Sequence, residues 1–195
     1  AVDNNIRCGF CDFCRMGLTS QCVDIKTSAL GVMRDGGYAE YCLVPEKQCF
    51  VLPDEIDDIL GTQVETLATV VNGMNTLQML PYDYVMVIGF GPIGYLFSQF
   101  AKNIAAKVAV TEIDPFRIEV AKRCGLTVWN PKEVDVVEKI TEFTYGRKAD
   151  IVIEATGNDL ATALKCVTPG GKVLPFGMDS SITTTVVPNE ITRWA

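Results

Sequence analysis

From residue 82 to residue 176, the chain alternates short apolar runs with segments of helical periodicity. The apolar runs lie at residues 85–88, 108–111, 127–129, 151–155 and 172–176. Nearly continuous apolar runs are typical of strands that are buried on both faces of a parallel sheet. The sequence therefore predicts an α/β fold with a doubly wound parallel sheet of five strands.

The segments between these runs carry signals for helix starts. One helix is predicted over residues 92–104 and another over residues 160–167. Asp114-Pro115 places a capping side chain before a proline at the first helical position, and Asn130-Pro131 repeats that signal. We therefore expect a helix after each of the first four strands.

A further helix is predicted over residues 62–80. Apolar side chains recur along one face of this segment, and Pro81 closes the pattern. Thr62 is a candidate N-cap, and Glu65 stands three positions later, which is the spacing of a capping box. Capping is therefore one interpretation of Glu65.

The amino-terminal third of the chain has a different pattern. Residues 1–30 are rich in cysteine and irregular, whereas the alternation at 37–44 and the apolar run at 49–52 predict strands within residues 31–52. The β-branched residues 182–187 are a candidate for a further short strand. We predict two domains, which comprise residues 1–60 and residues 61–195.

A glycine motif follows the first buried strand and opens the helix at Pro92. Its sequence, Gly89-Phe90-Gly91-Pro92-Ile93-Gly94, matches G-x-G-x-x-G in the strand–helix context that the motif requires. The first glycine allows a tight turn, the second lets backbone amides approach a pyrophosphate, and the third lets the helix pack closely on the strand. The predicted dinucleotide-binding residues are Gly89, Gly91, Pro92, Ile93 and Gly94. A glycine-rich turn in an unrelated α/β protein is the alternative.

An acidic residue ends the second predicted strand. Glu112 lies about 20 residues after the glycines, where a carboxylate can accept hydrogen bonds from both ribose hydroxyls. The same charge would repel the 2′-phosphate of NADP, so we predict NAD. Asp114 competes for this role, but its position before Pro115 favours helix capping. Arg117 is predicted to lie over the adenine.

Four cysteines near the start have the spacing C-x2-C-x2-C-x7-C. They are Cys8, Cys11, Cys14 and Cys22. Four thiolates can close a tetrahedral zinc shell, so this spacing predicts a structural zinc site. The alternatives are an iron–sulfur cluster, disulfides or unligated thiols; a cluster favours a shorter last spacing, and disulfides favour a secreted chain. The remaining cysteines are isolated and are predicted to be buried structural thiols: Cys42, Cys49, Cys124 and Cys166.

The composition excludes several classes of partner. The chain of 195 residues has a formal net charge of −7 and no basic cluster, which argues against nucleic-acid binding. No apolar run approaches the roughly 18 residues of a membrane span, and the first residues do not resemble a signal peptide. We therefore expect a cytoplasmic protein without a membrane partner. The sequence also contains no histidine, the commonest metal ligand.

The cysteine and glycine motifs, with Gly36-Gly37-Tyr38-Ala39-Glu40-Tyr41 and Val64-Glu65-Thr66-Leu67-Ala68 between them, resemble the medium-chain zinc alcohol dehydrogenases. The polyol branch, which includes sorbitol, arabinitol-phosphate and threonine dehydrogenases, is the most similar. Glu154-Ala155-Thr156-Gly157 and Pro169-Gly170-Gly171-Lys172-Val173 also look like motifs of this family. The resemblance implies a Rossmann domain beside a fragment of a β-rich, GroES-like catalytic domain that carries the structural-zinc lobe.

The resemblance also implies roles for individual residues. Thr156 and Gly177 would line the nicotinamide half of the cofactor. Glu65 matches the position at which many polyol dehydrogenases place a carboxylate beside a catalytic zinc, although Thr66 replaces the proline that is usual there. Zinc ligation and helix capping thus remain two interpretations of Glu65.

The function implied by the resemblance is a zinc-dependent oxidoreductase that transfers hydride between an alcohol or polyol and NAD. In that family the other catalytic zinc ligands precede the segment that begins at Ala1, and a last strand follows Ala195, so we expect the isolated chain to be inactive. A homodimer or homotetramer is expected. The alternatives are a non-catalytic NAD- and zinc-binding module and a zinc-free, NADPH-dependent quinone reductase, which the cysteine lobe and Glu112 oppose.

Overall fold

A computed structural model describes residues 1–188 of the chain. The chain divides into two compact units, Ala1–Val64 and Glu65–Ala195. The last seven residues of the predicted second domain, 189–195, lie outside the described residues.

The first unit is built from turns and very short helices. The helices are α1 Asp12–Arg15, α2 Ile25–Ser28 and α3 Asp58–Gly61, with 3-10 turns at Thr19–Gln21 and Glu46–Gln48. The buried side chain of Gln48 connects its own turn to the start of the chain, because its Nε2 donates to the carbonyl oxygens of Asp3 and Asn5 at 3.0 and 2.9 Å. Hydrogen bonds from side chains and loops therefore connect segments of this unit that no strand ladder joins.

The strands predicted within residues 31–52 are wrong. Across this region the structure has isolated bridges, Val2 with Cys49 and Leu30 with Arg34, rather than strands. Pro45 begins the turn at Glu46–Gln48, and the alternating segment before it has no neighbouring strand in the described part of the first unit. Without a partner, alternation alone does not make a strand, because the backbone groups need a ladder.

The second unit is a parallel α/β sheet. Its strands are β1 Tyr84–Ile88, β2 Lys107–Thr111, β3 Thr127–Trp129, β4 Ala149–Glu154 and β5 Val167–Pro175. Its helices are α4 Val64–Leu77, which begins at the boundary of the units, α5 Pro92–Ile104, α6 Pro115–Arg123, α7 Val136–Phe143 and α8 Leu160–Cys166. The strand order is β3-β2-β1-β4-β5, and every pair is parallel. The predicted doubly wound sheet is confirmed.

Both faces of the sheet are buried. Alternate residues of β1 face opposite ways, so Val85 and Val87 join one apolar cluster while Met86 and Ile88 join another. The first cluster includes Phe97 of α5, and the second includes Ile140 of α7. This two-sided burial explains why the strands are nearly continuous apolar runs.

Two predicted helix starts are wrong. Thr62 does not cap the helix over 62–80; it follows α3 as its C-cap, and its hydroxyl donates to the carbonyl of Ile59 at 2.7 Å. Asn130 does not begin the next helix either, because its side chain accepts from Lys132 N and closes a turn. The true N-cap of α7 is Asp135, which accepts from two backbone amides.

The remaining predictions of local structure divide in the same way. Asp114 caps α6 as predicted, and its carboxylate accepts from Arg117 N at 2.9 Å. The further strand proposed at 182–187 is not formed, since these residues have no ladder partner among residues 1–188. The preceding segment turns at Asp179, which accepts from Ser181.

Replacing Phe97 with alanine should destabilise the second unit by about 3–5 kcal/mol, because it leaves a cavity in the main cluster. Phe97 is fully buried and meets Phe176 edge to face, with ring centroids 4.8 Å apart. Urea denaturation followed by circular dichroism measures the loss. Phe116→Ala, at an exposed position in α6, is the matched control, and an equal loss in both variants would contradict this packing.

Candidate functional site

The site lies where the strand order changes side: β2 and β3 lie on one side of β1, and β4 and β5 lie on the other. β1 pairs with β2 on one side and with β4 on the other, so the connections that leave these strands diverge at their carboxyl ends. Open α/β sheets bind ligands in the crevice at this topological switch point. The glycine motif follows β1 and therefore lies at the mouth of that crevice.

The three glycines of the motif have distinct geometric roles. Gly89 has a φ of +88°, and a Cβ there would lie 2.5 Å from Cγ2 of Thr156. A Cβ on Gly94 would lie 2.0 Å from the carbonyl oxygen of Gly89, so the contact between helix and strand excludes any side chain. A Cβ on Gly91 would meet nothing closer than Arg117 Nη1, at 3.7 Å. The space above Gly91 is therefore open to a ligand.

The amino terminus of α5 faces this open space. Gly91 is its N-cap and has no side chain that could accept from the first-turn amides, while Pro92 occupies the first turn. The first-turn amides of a helix have no intrahelical acceptor, so those of Ile93 and Gly94 are available to an anion. All five residues of the predicted phosphate turn thus lie together. Their binding of a dinucleotide stays a prediction.

Glu112 directly follows β2, beside the glycine turn, and is 6% exposed. Its Oε2 accepts from Phe90 N at 3.0 Å, and its Oε1 accepts from the amides of Ile113 and Asp114 at 2.7 and 2.9 Å. The carboxylate therefore fixes the glycine turn through its bond to Phe90 N, a role that the sequence did not suggest. Its predicted contact with ribose stays a prediction.

Arg117 lies on α6 at the rim of the same crevice. Its Nη1 is 3.8 Å from Oε2 of Glu112, and its side chain is half exposed. A guanidinium here partly offsets the charge of the carboxylate and offers a planar cation beside the turn. Its predicted place over the adenine is not tested by this geometry.

Thr156 and Gly177 come together beyond β4 and β5. A Cβ on Gly177 would lie 2.0 Å from Gly157 N, so the two loops touch through their backbones. The Thr156 hydroxyl contacts the carboxylate of Glu154, and Gly177 N donates to the carbonyl oxygen of Glu154 at 2.9 Å. Glu154 is the residue that sequence reasoning missed, although the available signal was an acidic residue directly after the apolar run Ile151-Val152-Ile153.

The four cysteines of the first unit form a compact cluster. The Sγ atoms of Cys8, Cys11, Cys14 and Cys22 all lie within 4.8 Å of one another. Zinc–sulfur bonds of about 2.3 Å place the sulfurs of a tetrahedral site about 3.8 Å apart. The cluster therefore fits a zinc ion after movements of about 1 Å or less.

Backbone amides donate hydrogen bonds to sulfur atoms of the cluster, and such bonds favour the thiolate form of a cysteine. Cys8 N donates to Cys22 Sγ at 3.3 Å, and Cys11 N donates to Cys8 Sγ at 3.4 Å. Hydrogen bonds from the backbone of Val23 and Cys14 lower the pKa of Cys11 to about 6. Desolvation raises the pKa of Cys14 to about 12. The unequal thiols share one small volume, which suits a metal ion that replaces their protons.

The isolated cysteines do not share one environment. Cys166 is fully buried, and burial raises the pKa of its thiol to about 11, as expected for a structural residue. Cys42 and Cys49 are exposed, so the prediction of burial is wrong for these two, and Cys124 is only partly buried. Cys42 and Cys49 lie in a segment that forms no strand and is mostly exposed.

Glu65 stands in the first turn of α4, and its side chain is exposed. Because Thr62 belongs to the end of α3, the capping-box interpretation of Glu65 is wrong. Its role as a zinc ligand stays a prediction.

Two family models cover most of the chain. Residues 1–54 match the alcohol dehydrogenase GroES-like domain, and residues 92–194 match the zinc-binding dehydrogenase family. The second match spans more than half of the sequence. The chain belongs to the zinc-binding dehydrogenase family.

Several curated proteins resemble this chain. It is 31% identical over 180 residues to an L-threonine 3-dehydrogenase from a Marinomonas species, a match that covers 90% of the chain and 52% of that protein. It is 29% identical over 184 residues to sorbitol dehydrogenase of Bacillus subtilis, with 92% and 52% covered. The chain thus spans about half the length of the curated relatives that it matches.

Solved structures share the fold. A zinc-binding dehydrogenase from Sinorhizobium meliloti bound to NADP superimposes with a TM-score of 0.88 at 30% identity, over 99% of this chain and 58% of that one. A short chain alcohol dehydrogenase from Escherichia coli, complexed with NADH, gives 0.87 at 29% identity over 99% and 57%. Within residues 1–188, no helix is both long and apolar enough to cross a bilayer.

The cysteine cluster should bind about one zinc ion per chain, and Cys11→Ser should abolish that binding because three thiolates leave the shell open. Metal analysis of the purified variants after dialysis measures the loss. Cys42→Ser is the matched control, since Cys42 is exposed in the same unit. Full zinc content in Cys11→Ser, or its loss in Cys42→Ser, would contradict the assignment.

Proposed function

We propose that this chain carries the dinucleotide-binding half of a zinc-dependent oxidoreductase that transfers hydride between an alcohol or polyol and NAD. One observation carries the proposal: the amino terminus of α5, without a side-chain cap among the described residues, faces open space above Gly91 at the switch point of the sheet. Such a terminus is suited to the diphosphate of a dinucleotide.

The residues of the turn divide the work of binding the diphosphate. Ile93 and Gly94 donate their amides, Gly91 leaves room for the phosphate oxygens, and Pro92 starts the helix without needing an acceptor. Gly89 allows the reversal that aims these groups at the ligand. The positive end of the α5 dipole adds to the attraction.

The choice of NAD over NADP rests on Glu112. Its Oε2 accepts one backbone hydrogen bond in the described structure, and a carboxylate oxygen can accept a second from a ribose hydroxyl. A 2′-phosphate would meet this negative charge, although Arg117 nearby softens the repulsion. We therefore expect a preference for NAD rather than a complete exclusion of NADP. The two structural relatives named above were solved with NADP and with NADH.

The two zinc roles are separate. Cys8, Cys11, Cys14 and Cys22 would hold a structural ion that orders the first unit. Glu65 would supply one oxygen ligand to a second, catalytic ion in the complete enzyme. When bound, such an ion would supply Lewis acidity to the alcohol oxygen, and NAD would supply the hydride acceptor.

The substrate class follows from the relatives. Those named above are a threonine and a sorbitol dehydrogenase, whose substrate names describe small polar alcohols. We extend this class, and no single member of it, to the present chain. A homodimer or homotetramer and a cytoplasmic location complete the proposal.

The unaltered chain should bind NADH, and Gly91→Ala should weaken that binding about tenfold or more, because a methyl group displaces the diphosphate from the helix amides. The backbone at Gly91 suits alanine, with φ at −69°, and a Cβ meets no close neighbour. Stability should therefore change by no more than about 1 kcal/mol. Fluorescence titration and urea denaturation measure the two quantities.

Gly37→Ala is the control, because Gly37 lies in the first unit with nothing near its Cβ. Titration with NADPH completes the experiment and should give weaker binding than NADH. No NADH binding by the unaltered chain would overturn the proposed function, and tighter binding of NADPH would overturn the choice of NAD.

A further inference from the structure

Glu154 is a carboxylate that ends β4 and is 2% exposed. A charge buried to this degree is costly unless every acceptor position finds a donor. Here the donors come from the loop that immediately follows the strand. The buried carboxylate and the conformation of this loop therefore depend on each other.

The side chain of Glu154 fixes that loop through several bonds. Oε1 accepts from Thr156 N at 2.8 Å and from Gly157 N at 3.0 Å, and Oε2 accepts from Gly157 N at 2.9 Å. The Thr156 hydroxyl also contacts Oε1. Since one partner is ionised, these bonds are stronger than ordinary amide bonds.

The main chain of Glu154 fixes a second loop. Its carbonyl oxygen accepts from Phe176 N at 2.8 Å and from Gly177 N at 2.9 Å, both beyond β5. The two loops touch, because a Cβ on Gly157 would lie 2.8 Å from backbone atoms of Met178. One residue thus sets the relative position of both loops.

These loops border the half of the crevice opposite the adenosine side. The glycine turn marks the diphosphate, and Glu112 at the end of β2 marks the side of the first ribose. A dinucleotide that crosses the switch point must place its other half over β4 and β5. The Thr156 methyl group lies against Gly89, so the loop begins directly beside the diphosphate turn.

We propose that Glu154 is a positioning residue for the nicotinamide half of the dinucleotide and acts through the loops that carry Thr156 and Gly177. This inference rests on the proposed function. Glu154 does not contact the ligand itself, because its carboxylate is enclosed by backbone donors. It holds the amides and the hydroxyl that form the wall of the nicotinamide pocket.

The test compares NADH with ADP-ribose, which has the diphosphate and both riboses but lacks the nicotinamide ring. In Glu154→Gln an NH2 group faces the loop donors, so the loop must move. NADH binding by the 195-residue chain should fall about tenfold, whereas ADP-ribose binding should stay within about twofold. Isothermal titration calorimetry measures both affinities, and circular dichroism monitors folding.

Glu154→Asp provides the second variant. It keeps the charge but withdraws the carboxylate by one methylene, so NADH should lose about threefold to fivefold while ADP-ribose is unaffected. This variant decides the matter if Glu154→Gln does not fold. Glu119→Gln, exposed on α6, is the control and should bind both ligands normally.

Two results would overturn the proposal. The first is NADH affinity in both Glu154 variants equal to that of the unaltered chain. The second is a parallel loss of NADH and ADP-ribose, which indicates a general structural role. Failure of the unaltered chain to bind NADH would instead overturn the proposed function, so the two failures are distinguishable.

Discussion

The approach of α5 to the end of β1 is the constraint on which the candidate dinucleotide site depends. A Cβ at position 94 would lie 2.0 Å from the carbonyl oxygen of Gly89, so the helix reaches this depth because residue 94 has no side chain. That depth brings the first amides of α5 to the mouth of the crevice. The left-handed turn at Gly89 and the open space over Gly91 accompany this close packing.

Two buried carboxylates stabilise the loops around this crossing. Glu112, at the end of β2, holds Phe90 of the glycine turn, and Glu154, at the end of β4, holds Thr156 and Gly157. Each satisfies backbone amides that the strand ends would otherwise leave without acceptors. The two carboxylates lie on opposite sides of β1, since Glu154 ends β4 and Glu112 directly follows β2. Each holds a loop that leaves the carboxyl ends of the strands.

The cysteine unit follows a different principle. Ala1–Val64 has short helices, isolated bridges and few buried apolar residues, so a bound ion would supply order that its core does not. Amide hydrogen bonds to Cys8 and Cys22 hold the sulfurs close together. Metal binding there and dinucleotide binding in the second unit therefore have independent physical origins.

The sequence predicted the second unit well because burial on both faces leaves a plain pattern. Composition and spacing predicted the five strands, the glycine turn and the cap at Asp114. The predictions for Thr62 and Asn130 were wrong because a small polar residue is equally suited to a helix cap, a helix end or a turn. Tertiary contacts determine which of these forms. The strands within 31–52 failed because alternation does not reveal whether a partner strand is present. Glu154 was overlooked because the bonds of its side chain depend on how the loop folds back.

Hydrogen–deuterium exchange of the chain with and without NADH tests the central claim most directly. If the carboxyl edge of the sheet holds the dinucleotide, NADH should slow amide exchange most at residues 89–94 and 154–158 and leave residues 102–107, at the opposite edge, unchanged. Uniform exchange with and without NADH, or protection concentrated at 102–107, would contradict the account.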